Sequence, residues 1–273
     1  MRKCASIILT ICIGISMLTG CRTSSNQTEL IVFAAASMTD TLTAIGNAYM
    51  AENPDISIVF SFDSSGTLKT QIQEGADADI FISASQKQMN QLDINTNSTE
   101  NTEGLDYILN DTRLDLLENK VVLAVPDGNP AKITSYDDMI NKLKSGTILL
   151  AMGNTDVPVG SYTQKILTYY NMNEESLAES GLITYGSNVK EVTTQVSEGA
   201  VDCGIIYQTD AYSAGLTIVD TATEDMCGQV IYPAAVLNTS KNTEAAKAFL
   251  DFLKSEDARS IFEAAGFTML NSQ

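Results

Sequence analysis

From Leu30 onward the chain alternates short apolar, β-branched runs with stretches whose apolar residues recur at helical spacing, and this alternation restricts it to the α/β class. Residues 30–33 read as a strand, after which Met38, Leu42, Ile45 and Tyr49 share one helical face. Asn53-Pro54 stops that helix. Residues 56–62 form the next strand, and a helix carrying Leu68 and Ile72 closes near Gly75. A third strand covers 79–83 and a short helix 86–92, while the polar stretch 95–104 reads as a surface insertion. A second unit follows the apolar run 121–125: a strand at 147–151, a helix with Tyr162, Ile166 and Tyr169, a helix with Val189, Val192 and Val196, and a strand at 204–207. The run 230–237 and helices around 245–253 and 258–264 complete the chain, and no internal repeat emerges.

Charge and composition exclude several functions. Lys+Arg of 16 against Asp+Glu of 34 gives a net charge of -18, which argues against nucleic acid and against an anionic membrane face as partners. An acidic protein repels anions at long range, so any anion site must work through short-range hydrogen bonds and dipoles. The chain contains no His, which removes the commonest general base and metal ligand and rules out Ser-His-Asp and Cys-His enzymes. Of five Cys, only Cys203 and Cys227 fall in the folded body. They could pair in an oxidising compartment or rest as two buried thiols acting as small hydrophobes, the reading preferred here.

The first residues are an export signal. Arg2 and Lys3 precede an uncharged apolar run over 5–19, too short to favour a permanent spanning helix. The run ends in Leu18-Thr19-Gly20-Cys21, which resembles the lipobox of bacterial lipoproteins, where cleavage leaves a diacylglycerylated Cys as the first residue. Residues 1–20 are thus read as signal peptide and 21–28 as a lipidated polar tether. Cleavage removes Arg2 and Lys3 and no acid, leaving the mature chain more acidic still.

Four strand-to-helix junctions share one chemistry. They are Ala34-Ala35-Ala36-Ser37, with Asp40 placed to close a capping box; Asp63-Ser64-Ser65-Gly66-Thr67; Asp156-Val157-Pro158-Val159-Gly160-Ser161; and Gly186-Ser187-Asn188-Val189. Each offers small or hydroxyl residues and unpaired N–H groups at a helix start, the arrangement that holds an anion. Any one of them is ordinarily just an N-cap. Four at the C-terminal ends of strands, where open α/β sheets bind ligands, point to a site.

Phe33-Ala-Ala-Ala-Ser37 and Ser61-Phe-Asp-Ser-Ser-Gly-Thr-Leu68 resemble the first two signatures of the periplasmic molybdate-binding proteins of ABC importers. The likeness continues through residues 71–83, Val157-Pro-Val-Gly160, Asn188-Val189, 204–210, Tyr232-Pro233, and a tail with Phe249, Phe252-Leu253, Phe262 and Gly266-Phe267. The resemblance implies the two-lobed periplasmic-binding-protein fold (type II), with the ligand cleft between lobes joined by two crossovers. Lobe 1 would hold 29–118 plus 230–273 and lobe 2 would hold 119–229. In that family two Ser side chains, backbone N–H groups and a Tyr hydroxyl hold the oxyanion, and the matching positions are Ser37, Ser65, Val159, Val189 and Tyr207. Val159 stands where the family often has Ala. Asp63 is a departure, because a carboxylate beside a dianion repels it unless it points away. On residue type alone, Tyr207 reads as a core tyrosine with a satisfied hydroxyl sooner than as a ligand contact.

The implied function is capture of molybdate or tungstate, without cofactor or metal and without catalysis, by a monomer lipid-anchored outside the cytoplasm that delivers its ligand to ABC permease subunits. A receptor for sulfate, phosphate or ferric ion is the first alternative. A Ser hydrolase is the second, weakened by the missing His and the lack of a G-x-S-x-G elbow. The lipobox makes one outcome specific: mass spectrometry of the membrane-extracted protein should find Cys21 as the N-terminal residue carrying lipid, and an intact leader or an unmodified Cys21 would refute it.

Overall fold

The computed structural model describes residues 27–96 and 99–270. The leader, Cys21 and most of the tether lie outside the described residues, as do 97 and 98 of the polar insertion. In chain order, β1 (Thr28–Ala35), α1 (Thr39–Glu52), β2 (Ile56–Asp63), α2 (Ser65–Gln73), β3 (Ile80–Ile82), α3 (Gln86–Asn90) and β4 (Leu114–Asn119) open the fold. Then come β5 (Val121–Val125), α4 (Tyr136–Lys144), β6 (Leu150–Gly153), α5 (Pro158–Tyr169), α6 (Glu174–Glu179), β7 (Ile183–Gly186), α7 (Val189–Ser197), β8 (Cys203–Tyr207), α8 (Gln208–Ser213) and β9 (Thr217–Thr221). The chain finishes with α9 (Glu224–Cys227), β10 (Val230–Val236), α10 (Thr243–Phe252), α11 (Glu256–Ala264) and β11 (Thr268–Met269).

The strands form two sheets. One is six-stranded in the order β11-β4-β10-β3-β1-β2, and the other five-stranded in the order β7-β6-β8-β5-β9. The chain therefore passes between sheets twice, from β4 to β5 through the single residue Lys120 and from β9 to β10 through α9. Since β4 neighbours β10 in the first sheet and β5 neighbours β9 in the second, the two crossovers run side by side. Two lobes joined by paired connections result, with a cleft between them.

Register sets where that cleft's walls lie. In the first sheet β1 is parallel to both β2 and β3, with Ala34 opposite Phe62 and Ile82, so these strands end at one level. In the second, β6 is parallel to β7 and β8, and Gly153 stands opposite Gly186. Parallel strands covered on both faces need continuous apolar sequence, and β1 supplies it: Leu30, Val32, Phe33, Ala34 and Ala35 are all buried. The α1 face is as the spacing predicts, with Met38, Leu42, Ile45 and Tyr49 buried in the core cluster. The run 147–151 is displaced, its strand starting at Leu150, and Tyr169 on the last turn of α5 is 53% exposed rather than buried.

Two expectations about local chemistry are resolved. Cys203 and Cys227 are both free and buried. The capping box does not form: Ser37 lies in a 3-10 turn over Ala36–Met38, and α1 begins after Met38 with no side-chain cap. Both intended partners are engaged elsewhere, as the site shows.

The lobes touch where α2 begins. The Gly66 N–H donates to the Asp156 carbonyl at 3.0 Å, across the cleft from the loop before α5. A Cβ on Gly66 would sit 2.3 Å from that same oxygen, a separation backbone atoms do not tolerate. Alanine otherwise suits a helix better than glycine by about 1 kcal/mol, so the clash acts on the closed arrangement and not on α2 itself. Gly66→Ala should therefore keep a cooperative unfolding transition yet open the molecule, seen as a larger radius of gyration in small-angle X-ray scattering. An unchanged profile would show that this contact does not limit the approach of the lobes.

Candidate functional site

All four junctions meet at the cleft. A cavity there is lined by Ser37, Asp63 and Ser65 from the first lobe and by Val157, Val189 and Tyr207 from the second, among others. Of the five residues expected from sequence, Ser37, Ser65, Val189 and Tyr207 thus share one cavity wall. Val159 sits one residue behind the lining Val157 and Pro158, with its side chain buried.

The helix starts explain the donors. Ser64 caps α2, its Oγ accepting from Thr67 N–H at 3.1 Å, which leaves Ser65 in the first turn. Asn188 caps α7 through Glu191 N–H at 3.1 Å, and Glu191 Oε2 in return accepts from Ser187 N–H at 2.7 Å. Pro158 opens α5, where its missing N–H costs nothing. The N–H groups of Val159 and Val189, in the first turns of α5 and α7, have no partner within their own helices, whereas those of Gly160 and Ser161 turn back to the Val157 carbonyl. Gly160 permits the tight approach of α5, since a Cβ there would lie 2.4 Å from the carbonyl oxygens of Gly153 and Asn154.

The hydroxyls are oriented by their neighbours. Ser65 Oγ accepts from Ala84 N–H at 2.9 Å, so its own proton is free for another acceptor. Ser37 Oγ lies 2.9 Å from Tyr232 Oη. Tyr207 Oη is buried and has no hydrogen-bond partner among the described residues. A buried hydroxyl left unpaired costs about 1–3 kcal/mol, so Tyr207 holds an unmet donor in this wall. Burial pushes the phenols of Tyr207 and Tyr232 well above the ordinary tyrosine value, which keeps both protonated.

Asp63 does line the cavity, but one of its oxygens is turned onto its own backbone: Oδ1 accepts from Ser64 N–H at 2.7 Å. The side chains lining this cavity include no Lys or Arg. Among the described residues, no group of three or more His, Cys, Asp or Glu side chains could hold a metal ion.

At the rim, beside Val189, an ionic cluster joins the lobes. Lys190 Nζ lies 3.3 Å from Asp210 Oδ1 on α8 and 3.3 Å from Asp40 Oδ2 on α1, and Ser213 Oγ donates to Asp40 Oδ2 at 2.9 Å. Burial raises the Asp210 carboxyl to about 6 against the pull of Lys190. The Ser213 hydrogen bond, followed by Lys190, lowers that of Asp40. Asp40's share in this contact is thus fully present above the ordinary carboxylate range and is lost as pH falls through its lowered value. This is where Asp40 goes instead of capping α1.

Sequence reasoning did not single out Tyr232, Asn119, Ala84 or the Lys190 cluster as parts of the site. Tyr232-Pro233 had been noticed only as part of a resemblance. A short polar residue at the end of a strand, such as Asn119, gives no local sign of a partner 113 positions away.

Residues 30–268 match the family of bacterial extracellular solute-binding proteins. The chain is 31% identical to a Bacillus subtilis protein, YvgL, provisionally named an ABC transporter substrate-binding lipoprotein, over 98% of this chain and 99% of that one. It is 32% identical to the molybdate-binding protein ModA of Haemophilus influenzae, over 88% of this chain and 90% of the relative. Among solved structures, the periplasmic molybdate-binding protein of Azotobacter vinelandii superposes with a TM-score of 0.74 at 21% identity, covering 89% of this chain and all of that one, which shows the shared fold. Two lobes joined by paired crossovers, a cleft walled by helix starts, and this match along nearly the whole described chain place the protein in the bacterial extracellular solute-binding protein family.

Proposed function

We propose that the protein binds a fully deprotonated tetrahedral oxyanion, molybdate or tungstate, outside the cytoplasm and delivers it to the permease subunits of an ABC importer. The observation that carries this reading is the unpartnered, buried Tyr207 hydroxyl in a cavity that it shares with the Ser37 and Ser65 hydroxyls. Ser37, Ser65, Tyr207 and the first-turn N–H groups of Val159 and Val189 are the donor set. A dianion accepts from all of them at once, and each hydrogen bond to a charged acceptor is worth about 1.5–3 kcal/mol. Helix starts add their positive dipole ends without any cationic side chain.

The donors come from both lobes, so a bound anion bridges them and favours the closed form, which a permease can tell from the open one. The protein needs no cofactor for this and performs no reaction. As a monomer held to the membrane by lipid on Cys21, it presents its cleft beside the importer. Asp63 favours one competing reading: its second oxygen could accept the proton of hydrogen phosphate. Sulfate has the right charge but shorter bonds to oxygen, and would leave some donors stretched.

Competition calorimetry at physiological salt tests the assignment. Molybdate and tungstate should bind within about tenfold of each other, while sulfate and phosphate should be weaker by at least about a hundredfold, or 2.7 kcal/mol. Ser65→Ala and Ser37→Ala should each weaken molybdate by roughly 10- to 150-fold, as for one lost bond to a charged acceptor. Sulfate or phosphate displacing molybdate at equal concentration would reassign the ligand, and unaltered affinity in both variants would move the site elsewhere.

A further inference from the structure

A serine hydroxyl can donate and accept, so a site meant only for donors must settle which it does. At Ser65 the Ala84 N–H settles it. At Ser37 the neighbour is another hydroxyl, Tyr232 Oη, and either could be the donor from distance alone. The direction is fixed one step further back. Asn119 Nδ2 lies 3.2 Å from Tyr232 Oη and 3.0 Å from Thr209 Oγ1, while Asn119 Oδ1 accepts from Lys120 N–H at 2.8 Å. That last bond orients the amide so that its N–H₂ side faces Tyr232. The tyrosine oxygen therefore accepts from Asn119; the other hydrogen bond of its hydroxyl is the one to Ser37 Oγ, and since a buried proton left unpaired is costly, that proton goes to Ser37. Because Ser37 Oγ accepts from Tyr232, the serine cannot return its own proton to that tyrosine, and the proton is left to face the cavity.

We propose that Tyr232, held in turn by Asn119, is a positioning residue that fixes Ser37 as a donor toward the cleft and so biases the site toward anions carrying no proton. The inference rests on the oxyanion reading above and adds to it a cause for the preference. It also gives the donor a structural address. Asn119 ends β4 at the first crossover, Tyr232 stands on β10 just past the second, and Thr209 belongs to α8 of the other lobe. The hydroxyl that meets the ligand is thus set by a chain of three bonds anchored where the lobes join. Tyr232 is packed edge-on against Tyr207 and Phe267, at ring distances of 5.7 and 5.4 Å, so Tyr232→Phe removes the hydroxyl and keeps the packing.

The test compares wild type, Tyr232→Phe, Ser37→Ala and the double variant by calorimetry at neutral pH, with molybdate and phosphate as probes. Tyr232→Phe should weaken molybdate roughly tenfold. Phosphate, which carries a proton there, should hold its affinity or gain, because the Ser37 proton is no longer directed into the cleft and the hydroxyl can turn to accept. In the Ser37→Ala background the same substitution should have no further effect on either anion. Equal losses for both anions, an undiminished effect without Ser37, or wild-type behaviour of Tyr232→Phe would each overturn the relay. A wild-type protein that binds neither anion would instead sink the oxyanion reading and the relay with it.

Discussion

The first N–H groups of a helix have no partner within the helix, and in this chain four helical segments begin at one cleft. Everything else in the fold serves that placement. Parallel pairing of β1 with β2 and β3, and of β6 with β7 and β8, brings strand ends to a common level in each sheet. The segments that follow then start side by side and point unsatisfied donors the same way. Serine, glycine and alanine at these turns keep the donors uncovered. A chain with a net charge of -18 gains no help from its overall field in attracting an anion, so the proposed binding would rest on this local accumulation of partial positive charge.

Bringing two such walls together creates a conflict, because a dry cavity full of donors is unfavourable until something accepts from them. Part of the conflict is removed within the protein. Gly66 N–H is spent on the Asp156 carbonyl, Thr67 N–H on Ser64, and the Ser64 N–H on Asp63. What remains unspent, above all the Tyr207 hydroxyl, is what the proposed oxyanion would meet. The Lys190 cluster contributes differently. It joins α7 to α1 at the rim without entering the cavity, so the lobes can be held together by charge while selectivity stays with neutral donors.

Much of the first lobe was legible because its signals are local. The buried face of α1 follows from the spacing of Met38, Leu42, Ile45 and Tyr49, and the apolar run of β1 from Leu30 to Ala35 announces a covered parallel strand. α4 carries an equally local signal, with Tyr136, Met139, Ile140 and Leu143 on one face behind the Ser135 cap, although a reading that begins from strands passes over it. β4 and β9 are different. Asp115 and Glu118 interrupt β4, and β9 is nowhere fully buried, so neither has the apolar run that marks a strand, and each exists because its neighbours pair with it. The capping box failed for a related reason. Ser37 and Asp40 have the right spacing, but Tyr232 and the Lys190–Ser213 pair, all more than a hundred residues distant, compete for the same atoms. The candidate site was legible as four turn sequences, whereas the orientation of its hydroxyls depends on contacts that no window of sequence contains.

The paired crossovers have a mechanical consequence. β1, which begins at Thr28, and β11, which ends at Met269, both belong to the first sheet, so both ends of the described chain leave from the same lobe. Any tether upstream of Thr28 grips that lobe alone. The other lobe, bearing Val159, Val189 and Tyr207, hangs from two adjacent strands like a door on one edge, so a hold on the first lobe would leave this one as the part that sweeps.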